Sequence, residues 1–171
     1  MTFSCTGKVL EKVKKYRKIS DQRESVGLHN WYVNSINLER KNHLLFTNSL
    51  TLFSFFIYAG TKKEMNNIEQ LFEKELKEQV ERHIGSNEKF MQKLLPENSS
   101  YEFTKTKSRS ILGSMNDFKN QIKVQIWHKG PLKHTQNLII QLMNECPMSG
   151  IDYLNPITKM KQTLKDEISH Q

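Results

Sequence analysis

The sequence predicts an α+β domain, an antiparallel sheet of about four to five strands with helices packed on it. Three observations carry this expectation. Residues 31–58 come as short aromatic and β-branched runs separated by polar turns. From Asn67 the apolar residues change to a three- and four-residue spacing. The resulting order is strand, helix, three strands, two helices, strand, three helices, which is segregated rather than regularly alternating. With 171 residues, 36% of them apolar, the chain can bury one core of ordinary size, so residues 1–171 read as a single domain.

The first element is a short strand, "TFSCT", followed by a helix in which Val9, Leu10 and Val13 share a face and Thr6 is placed to cap. Residues 20–29 lack periodicity and read as a loop. Strands are expected at 31–37, 43–48 and 51–58, with "ERKN" at 39–42 as a hairpin turn, Asn48-Ser49 as a break and Gly60 as the end of the meander. Ile68, Leu71, Phe72, Leu76, Val80 and Ile84 then define a helix over 67–84, with Asn67 and Gln70 spaced as a capping box and Gly85 as the stop. Ser86 is expected to cap a short helix that ends at Pro96, and 101–106 alternates as a further strand. A helix from about Ser108 to Trp127 follows from Ile111, Met115, Phe118, Ile122 and Ile126. "HKGPLKHT" reads as a basic turn, "QNLIIQLMNE" as a helix, and Asn155-Pro156 as the start of the last one.

The formal charge is +8 and is concentrated. Residues 1–41 hold nine Lys/Arg against four Asp/Glu, and residues 101–135 hold seven against two. Such a distribution favours polyanionic partners. The lysine-rich stretch from Lys8 to Lys18 does not fit a secretory signal, and Cys5 and Cys146 form neither a disulfide framework nor a zinc spacing, so a cytoplasmic location is expected. The most apolar run, 44–59, is shorter than the roughly 20 residues of a membrane helix, and no membrane association is expected.

"TKTKSRSILGSMNDF", residues 104–118, is the strongest candidate site. If a strand ends near Thr106 and a helix begins near Ser108, the unpaired first-turn N–H groups and the helix dipole favour an anion there. Arg109, with Lys105 or Lys107, would surround it, and Ser110 and Asn116 could contribute hydrogen bonds. A purely structural reading competes with this: Ser108 caps, Asp117 pairs with a nearby lysine, and Gly113 lets the helix cross the sheet closely. Arg40 and Lys41 form a second basic point at the hairpin tip, where a β-ribbon can reach phosphates. Trp31, Tyr32 and Phe46 could stack on bases if exposed, but such side chains more often belong to a core. The glutamates of helix 67–84 read as a solvated face.

No metal or cofactor is implied. The six histidines show no ligand spacing, there is no P-loop and no nucleophile elbow, and a His29–His43 acid/base pair is selected by nothing in the pattern. Enzymatic activity is left open, with the absence of a catalytic constellation weighing against it.

The segments "WYVNSINLERKNHLLFTN", "TKTKSRSILGSMNDF" and "MNECPMSGIDYLNPI" resemble a family of small bacterial domains of unknown function. The resemblance rests on W-x-x-N at Trp31 and Asn34, T-K-T-x-x-R-S-x-x-G-x-M-N from Thr104 to Asn116, and N-x-x-P-M ending at Pro147-Met148. It brings relatives and no activity. From the residues, the first expectation is a basic intracellular binding module contacting nucleic acid through phosphates. The alternatives are a regulatory or inhibitor domain of a mobile element, docking on an acidic protein, and a small metal-independent nuclease-like enzyme.

Overall fold

The computed structural model describes residues 1–21, 26–97 and 99–169. Five strands, β1 (Thr2–Cys5), β2 (Asn30–Leu38), β3 (Lys41–Asn48), β4 (Ser54–Tyr58) and β5 (Glu102–Lys105), form one sheet in the order β4-β3-β2-β1-β5. The α+β expectation holds, but the sheet is mixed rather than purely antiparallel. β2, β3 and β4 make the expected meander, whereas β1 lies parallel to both β2 and β5. The reason lies in the connections. A tight turn reverses the chain, while the long segments before β2 and β5 let each strand return in the direction of β1. Residue alternation reports which face a side chain takes and carries no information on strand direction.

Among the described residues seven α-helices accompany the sheet: α1 (Gly7–Val13), α2 (Lys62–Asn66), α3 (Ile68–His83), α4 (Glu88–Leu94), α5 (Arg109–Lys129), α6 (Leu132–Glu145) and α7 (Pro156–Ser169). Phe3, Trp31, Phe46 and Phe55 stand on one sheet face, where Phe72 of α3 packs among them with ring centroids 4.9–5.6 Å apart. Trp31, Tyr32 and Phe46 are fully buried, so they belong to the core and are not available to stack on bases. Tyr32, next to Trp31, points to the opposite face and reaches the start of α5. Met115, Phe118 and Ile122 of α5, Ile139, Ile140 and Met143 of α6, and Met160 and Leu164 of α7 are buried in the same core.

Both sheet edges are covered. On β4, the Asn144 amide accepts the Ser54 N–H (2.8 Å) and donates to the Ser54 carbonyl (2.6 Å), taking the place of a neighbouring strand. On β5, Ile19 makes a parallel bridge to Phe103, and the Ser20 N–H donates to the Phe103 carbonyl at 2.7 Å. Edges closed in this way do not recruit further strands.

Several local expectations need correction. β4 begins at Ser54, because the Asn48 side chain accepts the N–H groups of Leu50 and Thr51 and folds 49–52 into a turn. Thr61-Lys62-Lys63-Glu64 forms the capping box of α2, a helix the pattern does not reveal, while Asn67 makes no side-chain cap. Asn87 rather than Ser86 caps α4. Only Gly130 and Pro131 separate α5 from α6, so most of "HKGPLKHT" is helical. The expected loop at 20–29 includes residues 22–25, which lie outside the described residues. The glutamates of α3 are not simply solvated: Glu69 binds Arg17 at 2.7 Å and Glu73 accepts the Tyr101 hydroxyl at 2.6 Å. His29 adjoins the start of β2 and His43 pairs opposite Ile36, about 20 Å along the strand, so the two do not form an acid/base pair.

A candidate anion-binding face on helix α5

β1 and β5 run side by side in the same direction, with Cys5 opposite Lys105, and each leads into a helix at the same end of the sheet. The Thr106 N–H donates to the Cys5 carbonyl (3.2 Å), extending the ladder one residue beyond β5. The chain then turns at Ser108, whose side chain accepts the Ile111 N–H at 3.3 Å as the cap of α5. The Ser108 N–H donates to the Tyr32 hydroxyl at 3.0 Å. The junction is thus a capped helix start anchored near the beginning of β2.

Arg109, the first residue of α5, is exposed and makes no hydrogen bond or ion pair among the described residues. The pairing of Asp117 with a lysine, one part of the structural reading, is absent among them as well. Gly113 is exposed, and a Cβ at that position would meet nothing within 4 Å, so close crossing of the sheet does not account for the glycine. Lys105 is exposed at the end of β5, and Lys107 is exposed but engaged within the fold. Ser110 lies toward the turn Ser149–Ile151, since its hydroxyl is 3.9 Å from where a Cβ on Gly150 would stand.

Arg109, Gly113, Asn116, Asn120, Lys123 and Trp127 follow at intervals of four, three, four, three and four residues, and all six are exposed. That spacing places them on one face of α5, turned away from the core. Lys119 flanks this face and is partly buried. Its ammonium is held below the ordinary lysine range, chiefly by burial and then by the like charges of Lys123 and of Lys8 in the first turn of α1. Lys8 of α1 and Lys119 and Lys123 of α5 therefore stand near enough to act on one another, and none has an ion-pair partner among the described residues.

The hairpin tip is a separate place. Glu39 and Arg40 both take left-handed backbone (φ 49° and 62°), as a two-residue loop requires, and Glu39 Oε1 accepts the Leu132 N–H at 2.9 Å. This holds the tip at the start of α6, two residues beyond the far end of α5. A 21-residue helix is about 31 Å long, so Arg40 and Lys41 are not brought into one pocket with Lys105, Lys107 and Arg109. Both tip residues are exposed and without ion pairs among the described residues.

Lys8, Lys119, Lys123 and Trp127 were not singled out by the sequence reading. Lys119, Lys123 and Trp127 stand four residues apart, and that spacing, which puts them along one side of a helix, is the signal that marks three of them. Among the described residues no three His, Cys, Asp or Glu side chains gather as a metal site, and no helix is long and apolar enough to cross a membrane.

Fold and face together define an α+β domain with a mixed sheet and an unneutralised basic helix surface. The chain belongs to the family described as Domain of unknown function (DUF6933), whose model matches residues 2–159, from β1 into the first turn of α7. No curated protein matches the chain.

Proposed function

We propose that this protein is a small, cytoplasmic, bacterial binding module that contacts nucleic acid through its phosphates, using the outer face of α5 and the first turn of α1. The observation that carries the reading is the proximity of Lys8, Lys119 and Lys123, with no ion-pair partner for any of them among the described residues. Burying part of a lysine beside two like charges is unfavourable to the fold, and a polyanion relieves it. Arg109 extends the same face, and a guanidinium can grip two phosphate oxygens. Lys105 and Lys107 stand beside it, and Arg40 with Lys41 offers a second contact at the other end of α5.

The test is a titration of labelled mixed-sequence DNA and RNA at several salt concentrations. Three to four phosphate contacts predict that log K falls with log salt at a slope of about −2 to −4. No binding at low salt with folded protein in large excess would eliminate the reading. Binding of an acidic protein that is insensitive to salt would favour the inhibitor alternative, and metal-free cleavage of RNA the nuclease-like one.

A further inference from the structure

Trp127 has 81% of its surface exposed, the largest exposure of any bulky apolar side chain described, while the other tryptophan, Trp31, has none. Its ring meets the neighbouring His128 edge to face, with centroids 4.5 Å apart. An indole in that position adds nothing to the core, and its face is open to stacking. One turn back along α5 is Lys123 and a further turn back is Lys119, with Lys8 beside them. On the other flank a hollow is lined by Asp117, Asn120, Pro147 and Tyr153. Tyr153 is 75% exposed and is held by left-handed backbone (φ 60°). Asn120 and Trp127 are seven residues apart, so they share a face and stand about 10 Å apart along the helix, with Lys123 between them.

The geometry points to single-stranded nucleic acid as the ligand of this face, with a base stacked on Trp127, phosphates on Lys123, Lys119 and Lys8, and Tyr153 as a second stacking surface. Cations beside exposed aromatics suit a single strand, whose bases are free to stack, whereas a duplex keeps its bases stacked on one another. The inference rests on the reading of the protein as a nucleic-acid-binding module and adds to it the strand state and the residue that senses it.

The experiment compares a fluorescently labelled mixed-sequence 15-mer with its duplex at one low salt concentration, using the full chain and its Trp127→Ala and Trp127→Phe variants. Intrinsic tryptophan emission is followed in parallel. Because Trp31 is buried, quenching by the strand reports on Trp127. The expected result is preference for the single strand, quenching on binding, and a loss of roughly fivefold to a hundredfold in affinity for Trp127→Ala, the range for one stacked base. Trp127→Phe should keep most of the affinity, and the salt slope should not change. Equal binding of strand and duplex, with no quenching and a neutral Trp127→Ala, overturns this inference and leaves the phosphate-binding reading standing. Absence of binding to either form by the unaltered chain removes both. Equal weakening of strand and duplex binding without quenching assigns Trp127 a structural role and also overturns the inference.

Discussion

The Tyr32 hydroxyl accepts the backbone N–H of Ser108 at 3.0 Å, joining the first part of β2 to the residue that caps α5. Sheet and helix are thereby fixed to one another at the point where the basic face begins. Tyr32→Phe keeps the buried ring and removes the acceptor, which should cost about 1 kcal/mol and lower the melting temperature by roughly 2–4 °C. Thermal melts decide it. An unchanged melting temperature would show that water replaces the hydroxyl at no cost.

Arg109→Ala should leave the fold intact, because the side chain is exposed and has no partner among the described residues. Its loss should weaken binding of nucleic acid by an amount on the order of 1–3 kcal/mol, as for one charge-assisted hydrogen bond. Melts and titrations of the same variant separate the effects. A large fall in melting temperature with unaltered affinity would assign Arg109 to the fold.

Lys119 carries the opposite relation between stability and binding. Its folded pKa lies below the ordinary 10.5, so the unfolded chain binds more protons between the two values and stability rises with pH through that window. At neutral pH the charge is therefore a net burden on the fold. Lys119→Met should raise the melting temperature by about 1–2 °C, the scale of a typical surface substitution, while reducing affinity for DNA and the salt slope. A variant both less stable and equally tight in binding would contradict this account.

Gly113→Ala tests whether the exposed glycine is needed for packing. A mid-helix glycine costs about 0.5–1 kcal/mol relative to alanine, and the added methyl would meet nothing within 4 Å. The variant should melt roughly 1–4 °C higher. A lower melting temperature would mean that the glycine serves the fold after all. A higher one accompanied by weaker binding would place the ligand backbone close to α5.

Glu75 sets a pH dependence between α3 and α6. Burial raises its pKa above the ordinary 4.5, opposed in part by the Gln79 amide, which donates to its Oε1 at 2.8 Å, while Glu78 adds to the rise and Lys74 counters it. A raised carboxyl contributes stability that is present below pH 4.5 and lost as pH rises through the folded value. Glu75→Gln, which keeps an acceptor for Gln79, should melt about 1–2 °C higher at pH 7 and show no gain at pH 4. An equal gain at both pH values would show that the carboxylate charge is not the cause.

The legible parts of the fold were those in which burial writes a period. Ile68, Phe72, Leu76 and Val80 announced α3, and Ile111, Met115, Phe118 and Ile122 announced α5, because each must face the sheet once per turn. Strand direction was not legible, since Phe3 faces the same core whether β1 runs with or against β5. Thr6 shows a second limit: it sits at the cap position of α1, yet its hydroxyl donates to the Asn34 side chain at 3.3 Å, a partner 28 residues away. At the candidate site, Arg109 and Lys105 could be picked out as cations next to a helix start. The approach of Lys8 to Lys119 could not, because it depends on β1 and β5 being neighbours.

That neighbourhood also has a consequence in time. Phe3 and Phe103 are partners across β1 and β5 although a hundred residues separate them. At translation speeds of about 5–20 residues per second, β1 waits on the order of 5–20 s after its own synthesis before β5 exists to cover its flank. During that interval the meander and α3 can assemble from nearby residues, while one side of β1 remains an open backbone edge beside the Phe3 ring. The nascent chain is therefore most exposed to wrong pairing just before residue 102 emerges, and chaperone dependence should concentrate there.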